Sequence, residues 1–274
     1  MNNSIQSHSG QPLGNVALFV PAHGACGERS TIADLLHLMG ADDLDVRTAP
    51  VIPVPMRRLH AGEGLFREGA RAESIYFVRS GTFKIFRTAE DGYEQVLGFV
   101  GRAEVLGFDA VCSNGHPTEA VALEDSTVFA LPVRDLFGFA ETSPALGRVV
   151  HLAASNALTR QGELADVMAA VAAEVRLARF LLHLSQRMAS CGQSPRRFVL
   201  RMSRRDIASY LGVAHETVSR SFTALAGWLM VKVDNRDVEI IDMTALRAFS
   251  RSTRRQLDEA SRSCMPHPVA ARAA

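Results

Sequence analysis

Between residues 54 and 131 the apolar positions come in short alternating runs broken by turn-forming residues. Phe83-Lys-Ile-Phe86 and Glu94-Gln-Val-Leu-Gly-Phe-Val100 alternate in and out, as strands with one buried face do. Ala61-Gly-Glu-Gly64, Arg79-Ser-Gly81, Glu90-Asp-Gly92 and Ser113-Asn-Gly115 separate the runs with turn chemistry. The pattern predicts a small antiparallel β-barrel or jelly roll, preceded by a short helix within Ser30–Leu38. The period then changes. From about Pro144 to Met168, and on to Val171, apolar residues recur at alternating steps of four and three: Leu146, Val150, Ala153, Ala157, Leu164, Val167 and Val171, interrupted at Arg160. Such a row predicts a long helix paired with a second helix; the alternative is a helix packed on its own barrel. A second helix is expected over about Ala172–Ser190.

Beyond it, Met202–Arg220 has the spacing of a two-helix reading device. Ser203 with Asp206 three residues later marks a helix start, the hydroxyl capping a free backbone N–H. Ile207, Tyr210 and Leu211 form an apolar face, and Gly212 stands where a tight turn needs a left-handed residue. Val218, Phe222 and Leu225 turn the next helix inward, leaving His215, Glu216, Ser219 and Arg220 on the opposite face. Arg can bond bidentately to guanine, Glu can accept from the cytosine amino group, and Ser can reach either base. A short strand at Arg197–Met202 and two strands within Leu229–Ile241, around an Asp234-Asn235 turn, complete a winged helix-turn-helix. Ser203, Arg204, Thr217, Lys232 and Arg236 are the candidate DNA-backbone contacts, Lys232 and Arg236 from the hairpin tip.

From about Met56 to Phe249 the chain resembles the Crp/Fnr superfamily of bacterial transcription regulators, and its Fnr branch most closely. The resemblance rests on Glu216-x-x-Ser219-Arg220 and, independently, on Leu65-Phe-Arg-Glu-Gly69, Ile75-Tyr-Phe-Val-Arg-Ser-Gly81 and Val105-Leu-Gly-Phe-Asp109. It implies an α+β fold: an N-terminal β-roll sensor of the cyclic-nucleotide-binding kind, a dimerisation helix and a C-terminal winged helix-turn-helix. It also implies a homodimer on double-stranded DNA, with Glu216 and Arg220 reading the G·C pairs of TTGAT-like half-sites and Ser219 the neighbouring thymine. His215 departs from the small apolar residue usual in the branch. RNA polymerase contacts would fall on Glu90, Asp91 and Gly92, and on Gln193, Ser194 and Pro195. Gly92, Ser194 and Pro195 match the family pattern, whereas Cys191 and Gln193 depart from it. Activation is the expected mode, with repression or ligand-independent dimerisation as the alternative.

Length and composition agree with this organisation. At 274 residues and 47% hydrophobic content the chain can bury two modest cores. The expected divisions are an unstructured or weakly ordered arm (1–29), the sensor (30–140), the dimer helix (141–171), the DNA-binding domain (172–250) and a flexible tail (251–274). Net charge is only +1, so DNA binding would rest on the local arginines Arg196, Arg197, Arg201, Arg204, Arg205, Arg220 and Arg236. No run approaches the roughly 18 apolar residues a membrane span needs, and no signal-peptide core precedes the fold, so a cytoplasmic protein without membrane contact is expected. Cys26, Cys112, Cys191 and Cys264 are scattered and read as free thiols. No catalytic constellation, phosphate-cradling loop or zinc spacing is present, which argues against an enzyme and against a metal site.

The input signal is the open question. In the stretch His116–Glu124, Pro117 takes the place of the arginine that would pair a cyclic phosphate, and Glu119 adds a repelling charge, which argues against cyclic AMP. The branch's four-iron cluster needs four thiolates. Here Cys26 remains, but Ser30, Leu36 and Phe129 stand in the family's cysteine positions, which argues against a cluster. Haem, a thiol redox signal at Cys112, an organic ligand, or no ligand stay open. His60, His116 and His151 are the candidate haem ligands, each equally readable as an ordinary polar residue. No cofactor is predicted.

Overall fold

The computed structural model describes residues 30–40, 53–113, 115–135 and 144–252. Cys26, Cys264, the N-terminal arm and most of the tail lie outside them. Strand β1 (Ser30–Thr31) pairs with β2 (Pro53–Val54) and leads into helix α1 (Ile32–Leu38), so the predicted helix starts two residues later than Ser30. The barrel follows as two antiparallel four-stranded sheets. One has the order β3 (Met56–Leu59), β10 (Ser126–Pro132), β5 (Ser74–Ser80), β8 (Val105–Leu106). The other runs β4 (Gly64–Phe66), β9 (Glu119–Ala122), β6 (Phe83–Thr88), β7 (Glu94–Val100).

Each sheet buries both faces, which is why its strands carry so many apolar residues. In β5, Tyr76 and Val78 point into the barrel with Phe66, Phe83 and Leu106. Ile75 and Phe77 point outward, where Ile32, Leu35 and Leu36 of α1 and Val149 and Ala153 of helix α2 (Pro144–Ala169) cover them. On the second sheet Phe86, Val96 and Phe99 face outward into the core of the C-terminal domain. The two domains therefore share one apolar core. Phe99 of the barrel packs with Phe180 and Tyr210 at ring separations of 5.4–5.9 Å. Burying a side chain of this size contributes about 1.5–3 kcal/mol.

Helix α2 ends before Ala170–Ala172, where Ala172 takes an extended backbone, and α3 (Ala173–Ser190) follows. Arg176 secures this break, its Nε donating to Ala170 O at 2.7 Å and its Nη1 to Leu211 O at 2.8 Å. Strand β11 (Arg197–Val199), helices α4 (Arg204–Leu211) and α5 (His215–Gly227), strands β12 (Val231–Asp234) and β13 (Asp237–Ile240) and helix α6 (Met243–Ser250) complete the chain. The three strands form one sheet, ordered β11-β13-β12. At the end of α5, Trp228 is 51% exposed and lies 5.2 Å from the Phe249 ring.

Candidate nucleic-acid interface

The reading device is built from its caps outward. Ser203 Oγ accepts the Asp206 N–H at 3.1 Å, and the Ser203 N–H donates to Asp206 Oδ2 at 2.9 Å. This reciprocal cap fixes the first residue of α4. Gly212 closes the helix with φ 63° and ψ 41°, a left-handed geometry that allows α5 to start three residues later. Val218, Phe222 and Leu225 are buried, and His215, Glu216, Ser219 and Arg220 are exposed, as the spacing places them. Arg220 Nη2 lies 3.4 Å from Thr217 Oγ1, and Ser219 Oγ donates weakly to His215 O at 3.5 Å. These long contacts leave the polar ends of the face free to meet a partner.

The wing corrects two expectations. Asp234 pairs with Asp237, so the turn consists of Asn235 and Arg236 rather than Asp234 and Asn235. Asn235 takes the positive φ of 52°, a conformation its short polar side chain tolerates. Lys232 is exposed in the middle of β12, paired with Glu239, and Arg236 alone of the two basic residues occupies the tip.

Arg204 is also placed differently. Its guanidinium carbon lies over the Phe222 ring, 3.6 Å from the ring centre, and Nη2 donates to Asn235 O at 2.9 Å. Nη1 is buried without a hydrogen-bond partner. Burial pushes this group below the ordinary arginine value. Arg204 thus joins the reading helix to the wing and does not offer its charge outward. Sequence reasoning missed this because Phe222 was identified only as a core residue; an aromatic on the inner face of a reader, with an arginine at the first position of the preceding helix, is the signal.

The predicted helix row splits on the structure. Ala153 and Val167 are fully buried by the chain's own cores, Val150, Ala157 and Leu164 pack against them, and Val171 lies past the end of α2. The side chain of Leu146 lies outside the described residues. The row faces the protomer itself, because a helix between two cores shows an apolar period on its inner side. The outward face of α2 is a different row at the same steps: His151, Ser155, Leu158, Gly162, Ala165 and Ala169, all exposed, with Leu158 at 69%.

Glu90, Asp91 and Gly92 are exposed in the β6–β7 turn, and Gln193, Ser194 and Pro195 in the loop after α3. Ser194 Oγ accepts the N–H groups of Arg196 and Arg197, and Pro195 O accepts from Ser185. Arg196 spends its Nη1 on Ile241 O at 3.2 Å.

In the barrel, His116 is 3% exposed and stacked on Phe66 with ring centres 3.8 Å apart. Its Nδ1 has no partner, and burial pushes its pKa down against the pull of Asp109. Pro117 O accepts from Arg87, and Glu119 begins β9. An aromatic stack stands beside this segment, and the segment itself contributes a carboxylate. Phe129 is buried between Phe77 and Leu131, with Arg79 over its ring. His60 is exposed and paired with Asp125, and Cys112 is exposed. Among the described residues no three metal-binding side chains converge, and no helix is long and apolar enough to cross a membrane.

A capped two-helix reader with a wing, joined through a common core to a jelly roll, defines a DNA-binding transcription regulator with an attached β-roll domain. The family model of the cyclic nucleotide-binding domain matches residues 56–143, and that of the Crp-like helix-turn-helix domain matches residues 175–249. The chain is 36% identical over 194 residues to the transcriptional activator Anr of Pseudomonas protegens, spanning 71% of this chain and 80% of that protein. It is 35% identical over 196 residues to the fumarate and nitrate reduction regulatory protein of Escherichia coli, spanning 72% and 78%. The structure of FixK2 from Bradyrhizobium japonicum superposes with a TM-score of 0.65 at 24% identity, over 73% of this chain and 98% of that one. The chain belongs to the Crp/Fnr family, whose members are transcription regulators and not enzymes.

Proposed function

We propose that this protein binds a palindrome of TTGAT-type half-sites as a homodimer and activates transcription through contact with RNA polymerase. The observation that carries the reading is the exposed set His215, Glu216, Ser219 and Arg220 on a helix whose other face is locked in the core. Glu216 and Arg220 read bases, and Lys232, Arg236 and Thr217 meet phosphate; Ser203 gives both its N–H and its hydroxyl to Asp206 and serves the cap instead. The dimer forms through the outward row of α2, where Ser155, Gly162, Ala165 and Ala169 let a second helix approach around Leu158. Polymerase meets Glu90–Gly92 and Gln193–Pro195.

The signal is neither cyclic AMP nor an iron–sulfur cluster on this reading, for which the Phe66–His116 stack and Phe129 in the barrel's outer core are the support. The same residues leave haem, a redox signal, an organic ligand or no ligand as inputs, and cytoplasmic placement follows from the partner. Gel shift on a palindromic duplex against a scrambled one tests the proposal. Arg220→Ala should cost about 1–3 kcal/mol at one base pair per half-site, while Lys232→Ala should weaken all sequences alike. Equal affinity for the scrambled duplex at physiological salt would refute the specific reading.

A further inference from the structure

Helix α4 is held by the sensor barrel. Lys84 of β6 places Nζ 2.6 Å from Glu94 Oε2 and 3.1 Å from Asp206 Oδ1, and lies 4.6 Å from the centre of the Phe86 ring. The side chains of Lys84 and Asp206 are only 12% and 16% exposed. Asp206 is the carboxylate of the α4 cap, so the ammonium grips the helix at its start. One turn later Ser209 Oγ donates to Glu94 O at 2.7 Å and accepts the Val96 N–H at 2.8 Å. Strand β7 is the edge of its sheet, and Ser209 satisfies backbone groups that another strand would otherwise take. Behind these bonds stand Phe99, Phe180 and Tyr210.

The barrel holds α2 as firmly. Arg160 Nη1 donates to Val105 O at 2.7 Å and Asn156 Nδ2 to Ala103 O at 3.2 Å. A continuous series of contacts therefore runs from α2 through the barrel to α4 and so to α5. The covalent route from α2 to the reader passes through the break at Ala170–Ala172.

We infer that Lys84 is a positioning residue that, with Ser209, fixes the reading helix relative to α2 and thereby selects the spacing between the two half-sites. This rests on the dimeric reading above. Two readers must stand about one DNA turn, roughly 34 Å, apart to engage a palindrome together. Arg176, bonded to Ala170 O and Leu211 O, and the pairs of Asp166 with Arg179 and His183 already tie the reader to α2 across the break; the barrel clamp adds the hold on the start of α4 that narrows the reader to one spacing. An isolated surface ion pair would do little. Here one ammonium serves two carboxylates, one of which caps the helix being placed.

The test uses the full chain and palindromes whose spacer is shortened by one base pair or lengthened by one or two. Wild-type protein should prefer one spacer by about tenfold or more, in the range of other site changes. Lys84→Met should flatten that preference while leaving the penalty for a changed base within a half-site intact, and Lys84→Arg should restore it. Hydrogen exchange at the Val96 amide should rise in Lys84→Met and in Ser209→Ala, the second removing the bond from the helix side without touching the charges. A wild-type spacer ratio in Lys84→Met, with Val96 exchange unchanged, overturns the inference alone. Wild-type binding that shows no gain from a second half-site overturns the dimeric reading, and the spacing inference with it.

Discussion

Arg204 shows how a residue of the right type in the right place can do different work from the one its position suggests. Its guanidinium sits over the Phe222 ring and is bonded to the wing carbonyl of Asn235. A lysine keeps the charge but loses the planar stack and the fixed fork. Arg204→Lys should therefore weaken DNA binding almost as much as Arg204→Ala, by letting the wing drift. A contact made by charge alone would be rescued by lysine, so anisotropy titration of both variants separates the two roles. His116 makes a different prediction. Its folded pKa is lowered from 6.5 by burial against Phe66, so the folded state resists protonation more than the unfolded chain does. The stability this site contributes is complete above 6.5 and declines as pH falls below it. Barrel stability in denaturant melts should drop through that window, and His116→Gln should remove the slope.

At the scale of elements, α2 has two useful faces, and only one was legible as such. The alternating steps through Ala153 and Val167 identified a helix but not its neighbour, because the same period fits a partner helix and the chain's own cores. The outward row has small or polar residues at most positions and carries no hydrophobic signal of its own. Leu158→Asp should split the dimer, seen as monomer mass in sedimentation with the thermal melt unchanged. Ala157→Asp should instead unfold the protomer, because an unpaired charge placed against a packed core costs about 3–5 kcal/mol. The reader was far more legible. Ser203, Asp206 and Gly212 act within a few residues of themselves, so their chemistry marks the helix boundaries directly. The strands of the barrel were legible for the same reason, their turns being local. Contacts such as Lys84 with Asp206, separated by 122 residues, leave no local trace.

The whole molecule joins a jelly roll and a reader through one apolar core. Burial lifts the Tyr210 phenol within that core to about 12, so it stays protonated across the working range. Burial works against the Asp206 carboxylate, but hydrogen bonds from Ser203 and Lys84 hold it below its ordinary value. The Lys84 ammonium is likewise held above its ordinary value, since Glu94 and Asp206 outweigh its burial. The interdomain ion pair is thus present in full at neutral pH. Its contribution is lost only as pH falls below the ordinary carboxylate value of 3.8 and through the lowered Asp206 pKa, or as pH rises past 10.5 and through the raised Lys84 pKa. DNA binding should survive exposure to air and require no iron. Aerobic and anaerobic preparations compared by gel shift and iron content check this, and stoichiometric iron with binding only in the absence of oxygen would restore a cluster. Affinity should fall steeply with salt as phosphate contacts release counterions.

Trp228 is the single tryptophan of the chain, and it sits half-exposed at the end of the reading helix. Its fluorescence consequently comes from the DNA-binding domain alone. The protein carries a built-in optical label there, so acid or denaturant melts followed by tryptophan emission report the reader without an added dye.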